Sequence, residues 1–134
     1  MDRLRHQLEA LASVPDFTVA SAALVENWLK EGVAFEAVDP VMRFMESHPH
    51  IEYGMPGELV HFVERFYGHG YETVLIESVK RRPTPTTVWM LNRVLNGTKE
   101  PKARRTLVSL LQSVPNHPLA DDRSIQLADQ FLDS

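Results

Sequence analysis

Apolar residues recur at three- and four-residue intervals along the chain, and no segment keeps the two-residue alternation of a half-buried strand. The pattern predicts an all-α fold. Leu4, Leu8 and Leu11 give a first helix, about residues 2–13, one apolar face, and Val14-Pro15 ends it because a residue before proline is pushed out of the helical region. A second segment, about residues 18–31, turns Ala22, Val25, Trp28 and Leu29 inward, with Gly32 as a left-handed C-terminal cap. A third opens at Asp39-Pro40, read as an N-cap acceptor followed by proline in the first turn. It buries Val41, Phe44 and Met45 and ends at His48-Pro49.

Residues 46–57 hold two prolines and two glycines and are expected to form a shaped loop. The helix after it is predicted to start at Pro56, with Leu59, Phe62, Val63 and Phe66 on its core face and Gly68-His69-Gly70 at its end. The next, Tyr71 to about Arg81, buries Tyr71, Val74, Leu75 and Val79. Thr84-Pro85 caps another, with Val88, Leu91, Val94 and Leu95 facing in and Asn96-Gly97 closing it. A seventh, about residues 101–114, uses Ala103, Leu107, Leu110 and Leu111. The last follows Asp121-Asp122 and uses Ile125, Ala128, Phe131 and Leu132.

Laying Pro56 on Pro85, an offset of 29, matches Leu59 to Val88, Phe62 to Leu91, Phe66 to Leu95 and Gly68 to Gly97; at an offset of 32, Leu75 then meets Leu107 and Val79 meets Leu111. Any two amphipathic helices opened by proline and closed by glycine align in this way. The alternative is an internal repeat. About eight short helices in antiparallel hairpins are therefore expected, either as a HEAT-like or armadillo-like stack or as a compact bundle.

Composition narrows the class. The 134 residues are 43% hydrophobic and 24% charged, with nine prolines and no cysteine, which fits a single helical domain over residues 1–134 and excludes disulfides and thiolate metal sites. The net charge of −4 is too small, and the apolar content too high, for an intrinsically disordered chain. No run approaches the ~18 apolar residues of a membrane helix. The opening Met-Asp-Arg-Leu-Arg-His-Gln has no apolar signal-peptide core, so a cytoplasmic setting is expected.

The net value hides a separation of signs. Residues 16–77 carry 11 acidic against 3 basic side chains, a net −8, whereas residues 78–105 carry 8 basic against Glu100 alone, a net +7. Part of this has a local cause: Glu58 and Glu72 fall in first turns and Lys80, Arg81 and Arg82 in a last turn, where they complement helix dipoles. The remainder points to partners. The acidic stretch suits a cationic protein. The basic stretch is the candidate for nucleic acid, but it lacks interleaved aromatics on which bases could stack, and the isoelectric point near 5.8 is low for a nucleic-acid binder.

Candidate chemistry is sparse. There is no glycine-flanked serine elbow and no phosphate-binding glycine loop, so no nucleophile is expected to be activated and no enzyme is expected. Glu58-Leu-Val-His61 has the spacing of a metal-binding pair but no second copy; it reads as a solvated or partner-facing pair on the side opposite Leu59 and Phe62. His48, His50 and His69 lie in loops and read as turn residues. Neither a metal nor a cofactor is expected. Glu64 falls at the edge of the apolar stripe and needs a partner if buried, with Arg93 or the backbone of the loop at 54–57 as candidates. Trp89 lies one position off its helix's stripe, where it either packs on a neighbouring helix or anchors an interface.

Tyr53-Gly-Met-Pro-Gly-Glu-Leu-Val-His-Phe-Val-Glu64, Gly70-Tyr71-Glu72 and Pro83-Thr-Pro-Thr-Thr-Val-Trp-Met-Leu-Asn-Arg93 resemble stretches of small helical, HEAT-like bacterial immunity proteins. These are the antidotes encoded beside contact-dependent inhibition and other polymorphic toxins. The resemblance covers about residues 39–111. It implies a non-enzymatic protein that binds one cognate toxin domain, often a cationic nuclease, and covers its active site or substrate groove. An acidic antidote surface would steer that association. The glycine, proline and apolar positions of these stretches look like fold determinants, which leaves partner contacts to the residues around them.

Charge and proximity to the shaped loop single out Glu36, Asp39, Glu46, Glu52, Tyr53, Glu58 and His61 as the expected contacts with the toxin domain, made by a monomer or weak homodimer. A HEAT-like adaptor or regulatory module is the alternative, binding a host protein, or nucleic acid through residues 80–82 and 99–105. A hydrolase is a distant third.

Overall fold

Among the described residues, eight α-helices form where apolar periodicity is sustained: α1 (Asp2–Leu11), α2 (Phe17–Glu31), α3 (Val38–Ser47), α4 (Glu58–Glu64), α5 (Tyr71–Arg81), α6 (Pro85–Gly97), α7 (Pro101–Ser113) and α8 (Asp122–Leu132). Two 3-10 turns, Phe35–Ala37 and Val114–Asn116, complete the regular structure, and no strand occurs among the described residues. The computed structural model describes residues 2–54 and 56–133, so Met55 of the expected loop lies outside the described residues. The chain is all-α. Two compact units divide it, Met1–Val74 and Leu75–Ser134, with the boundary inside α5.

In the first unit α1 packs on α2 and α3, and α4 packs on α2 and α3. Trp28 is fully buried, with its ring in edge contact with Phe62 at a centroid distance of 5.4 Å. Its indole N–H donates to Oε1 of Gln7 at 2.8 Å, which removes the desolvation cost of burying that donor. Gly32 adopts φ +79 and caps α2 as expected. Leu29, in contrast, is exposed. The buried stripe of α2 runs through Ser21, Leu24, Val25 and Trp28, and Leu29 falls one step beyond it.

The start of α3 also differs from expectation. A 3-10 turn leads directly into the helix, so Asp39 lies within the first turn instead of capping it and pairs with Arg43 Nε at 2.9 Å. Six of ten α3 residues are buried, including Met42, which sequence periodicity leaves out. α4 begins at Glu58, two residues after Pro56, because Gly57 is held extended; a Cβ there would collide with the carbonyl oxygen of Tyr53. α4 is also short. Beyond Glu64 the N–H groups of Arg65, Phe66 and Tyr67 bond three residues back, to Phe62, Val63 and Glu64, which tightens the chain into turns that Gly68 and Gly70 close at positive φ.

In the second unit α6, α7 and α8 pack mutually, with the turn Val114–Asn116 against α8. Thr84 and Thr87 form a buried capping box at the start of α6, so neither hydroxyl is an uncompensated polar group. Glu100 caps α7 by accepting from Lys102 N and Ala103 N, and Asp121 caps α8 through Ser124 N. Leu119 N donates to Nδ1 of His117, so Nε2 carries the ring proton and donates to the carbonyl of Lys80 at 2.8 Å. α6 ends without a left-handed residue: Gly97 is its last helical residue and Thr98 is extended. Gly68 and Gly97 thus do different jobs, and α4 with seven residues does not match α6 with thirteen, so the offset of 29 marks shared amphipathicity and not a conformational repeat.

Candidate functional site

All seven expected contact residues belong to the Met1–Val74 unit, which carries twelve acidic and five basic side chains, a net −7; the other unit carries six and nine, a net +3. The division of charge seen along the sequence is therefore a division between units. Within the acidic unit many carboxylates are already engaged. Glu26 pairs with Lys30 and Glu31 with Arg3 at exposed sites, and half-buried Asp39 pairs with Arg43. Asp16 caps α2, and Glu72 accepts from Gly68 N at 2.9 Å.

Six of the seven residues fall into three groups, and Tyr53 stands apart from them. Glu36 is exposed but accepts from Ala34 N at 2.6 Å, so it shapes its own turn. Asp39 and Glu46 are half-buried on α3; Glu46 lines an open cleft of about 390 Å³ with Arg5, Glu9, Arg43 and Phe44, where both signs of charge meet. Glu52, Glu58 and His61 are exposed, Glu52 in the loop and the other two in the first and last turns of α4. Neither Glu52 nor Glu58 has an ion-pair partner among the described residues.

Tyr53 requires correction as a contact. It is 5% exposed, its hydroxyl donates to the carbonyl of His48 at 2.8 Å, and its ring makes an edge contact with Phe17 at 5.4 Å. It anchors the loop from within. Burial, followed by the nearby Glu9 carboxylate, pushes its phenol above the ordinary value. His48, which supplies that carbonyl, also faces both oxygens of Glu9 at 3.0 and 3.1 Å, so the loop is tied to α1 as well as to itself.

Sequence reasoning misses an aromatic corner on the same unit. Phe35 and Tyr67 are 41% and 44% exposed, and Phe66, assigned to the core by periodicity, is only half-buried. Phe35 meets Phe66 edge-on at 5.9 Å, Phe66 meets Phe62 at 5.8 Å, and the Arg65 guanidinium lies 5.8 and 5.9 Å from the Phe62 and Phe66 ring centres. Glu36 is the next residue after Phe35. The signal available in the sequence is the run Arg65-Phe66-Tyr67 before two closely spaced glycines, where a helix cannot continue and its last aromatics are left at the surface.

The other singled-out residues fall into place locally. Trp89 is half-buried and carries the Arg93 guanidinium over its ring at 4.9 Å. Arg104 directs Nη1 to the carbonyls of Leu95 and Thr98, both at 2.8 Å, and so closes the end of α6. Among the described residues, no group of three or more His, Asp or Glu side chains converges as a metal site and no helix is long and apolar enough to cross a membrane. The chain matches no family model, and neither curated proteins nor solved structures give a match.

Proposed function

We propose that the protein is a non-enzymatic immunity protein whose acidic N-terminal unit binds a cationic toxin domain, of the nuclease kind, and covers its active site. The observation that carries this reading is the net −7 of that unit, with Glu52 and Glu58 solvent-facing and without an ion-pair partner among the described residues. Unpaired exposed carboxylates act at long range and accelerate encounter with a positive surface, whereas the paired ones are largely neutralised. The aromatic corner supplies the short-range element: partly exposed aromatic rings with an arginine on them are the side chains that most often dominate interface energy. The resemblance to toxin antidotes names the class of partner.

The adaptor reading through nucleic acid is weaker, because Arg104, one of its four main arginines, is turned back to backbone carbonyls. The test is growth protection. Cells making the toxin domain encoded beside this chain are expected to grow when the chain is co-expressed and to fail with Glu52→Lys plus Glu58→Lys. Equal protection by both would remove the acidic surface from the contact, and no protection by the unaltered chain would remove the reading itself.

A further inference from the structure

The Leu75–Ser134 unit contains a cleft of about 640 Å³ between α5 and α7, with three cations, Lys80, Lys102 and Arg105, in its lining. Ser109 adds a hydroxyl, and Ile76 and Leu110 give an apolar wall. Helix dipoles account for Lys80, which lies in the last turn of α5 with Glu77 at 3.7 Å. They do not account for the other two. Lys102 and Arg105 lie in the N-terminal half of α7, where the dipole disfavours cations. The nearby Glu100 carboxylate is occupied by the backbone N–H groups of Lys102 and Ala103. Neither the Lys102 ammonium nor the Arg105 guanidinium has a partner among the described residues.

We propose that this cleft binds a small ligand bearing a di- or triphosphate group. Lys102 and Arg105 are exposed cations lining one cleft, unpaired among the described residues, with Lys80 and its Glu77 partner beside them, and a ligand of several negative charges can engage them together where a single carboxylate would not. The guanidinium fork of Arg105 matches a phosphate edge, with the two lysines as point charges beside it. The volume lies within the range of small-molecule sites, and Ile76 and Leu110 offer a surface for the uncharged part of the ligand. A nucleic-acid strand is disfavoured, because the lining has no aromatic residue for base stacking and Arg104 beside it is engaged with carbonyls. This site is independent of the toxin-binding reading.

Calorimetric titration of the full chain with inorganic pyrophosphate and with ATP at low salt tests the proposal. Saturable binding is expected at one site per chain, weakened about tenfold or more by Lys102→Gln plus Arg105→Gln. Lys99→Gln plus Arg123→Gln removes the same charge outside the cleft and is expected to bind as the unaltered chain does. Lys80→Gln gives a second, independent weakening, and thermal unfolding checks that each variant is folded. Absence of saturable binding at millimolar ligand overturns the proposal, as does equal weakening by the two double variants. Tight binding of a short single-stranded oligonucleotide that pyrophosphate does not displace overturns it in favour of a nucleic-acid surface.

Discussion

A Cβ placed on Gly70 would lie 3.0 Å from two ring carbons of Phe35, so the ring rests against backbone that only glycine leaves bare. Gly70 also has φ +107, outside the range that side chains tolerate. One residue thus sets both the turn after α4 and the position of an exposed aromatic ring. Gly70→Ala is expected to destabilise the protein by about 1–3 kcal/mol, read by urea unfolding. It is also expected to weaken partner binding by moving Phe35; an unchanged midpoint would mean that the corner is not strained.

Phe62 joins that corner to the interior, since it touches Trp28 on one side and Phe66 on the other and is 1% exposed. Phe62→Ala is expected to cost about 3–5 kcal/mol, through lost transfer energy and the cavity left behind. A near-neutral result in the same unfolding measurement would contradict the packing of α2 on α4.

Gln7 is a surface-helix residue with an interior task. Replacing it with leucine leaves the Trp28 N–H without an acceptor in a fully buried site, at an expected cost of about 1–3 kcal/mol. Gln7→Glu keeps an acceptor and is expected to cost less; comparing the two by chemical denaturation separates the hydrogen bond from simple packing.

Tyr53 gives the fold a pH dependence with a fixed sign. Its phenol is held neutral by burial, whereas in the unfolded chain it ionises near pH 10, its ordinary value. Its contribution to stability is complete below about pH 10 and falls as pH rises above that, because the unfolded state alone then releases the proton. Tyr53→Phe is expected to reduce this alkaline loss, while costing about 0.5–1.5 kcal/mol at neutral pH for the hydrogen bond to His48. Unfolding curves for both proteins at neutral and strongly alkaline pH provide the comparison.

The start and end of most helices are legible in the sequence because their signals are local: Thr84-Pro85 and the αL glycine at position 32 act on their own neighbours. Errors arise where the conformation of an adjoining turn, or packing by another element, decides. Asp39 looks like a cap, but the preceding 3-10 turn makes it a first-turn residue. Pro56 looks like a helix start until the close approach of Gly57 to Tyr53 is known. Tyr53 looks like a contact because it sits in a charged loop, yet Phe17 and Phe44, distant in sequence, enclose it. The acidic character of the first unit needs no such knowledge, since charge counts survive folding. The aromatic corner was hidden because Phe66 has the right spacing for the core and Phe35 belongs to no helix.

The most direct measurement is capture of the tagged protein from its native cells, run in parallel with Glu52→Lys plus Glu58→Lys, with every bound chain identified by mass spectrometry. The expected result is a cationic C-terminal domain of a large secreted protein, retained by the unaltered chain and lost or strongly reduced with the charge-reversed one. Recovery of that domain equally by both chains, or of a host complex or RNA in its place, would contradict the acidic-surface antidote.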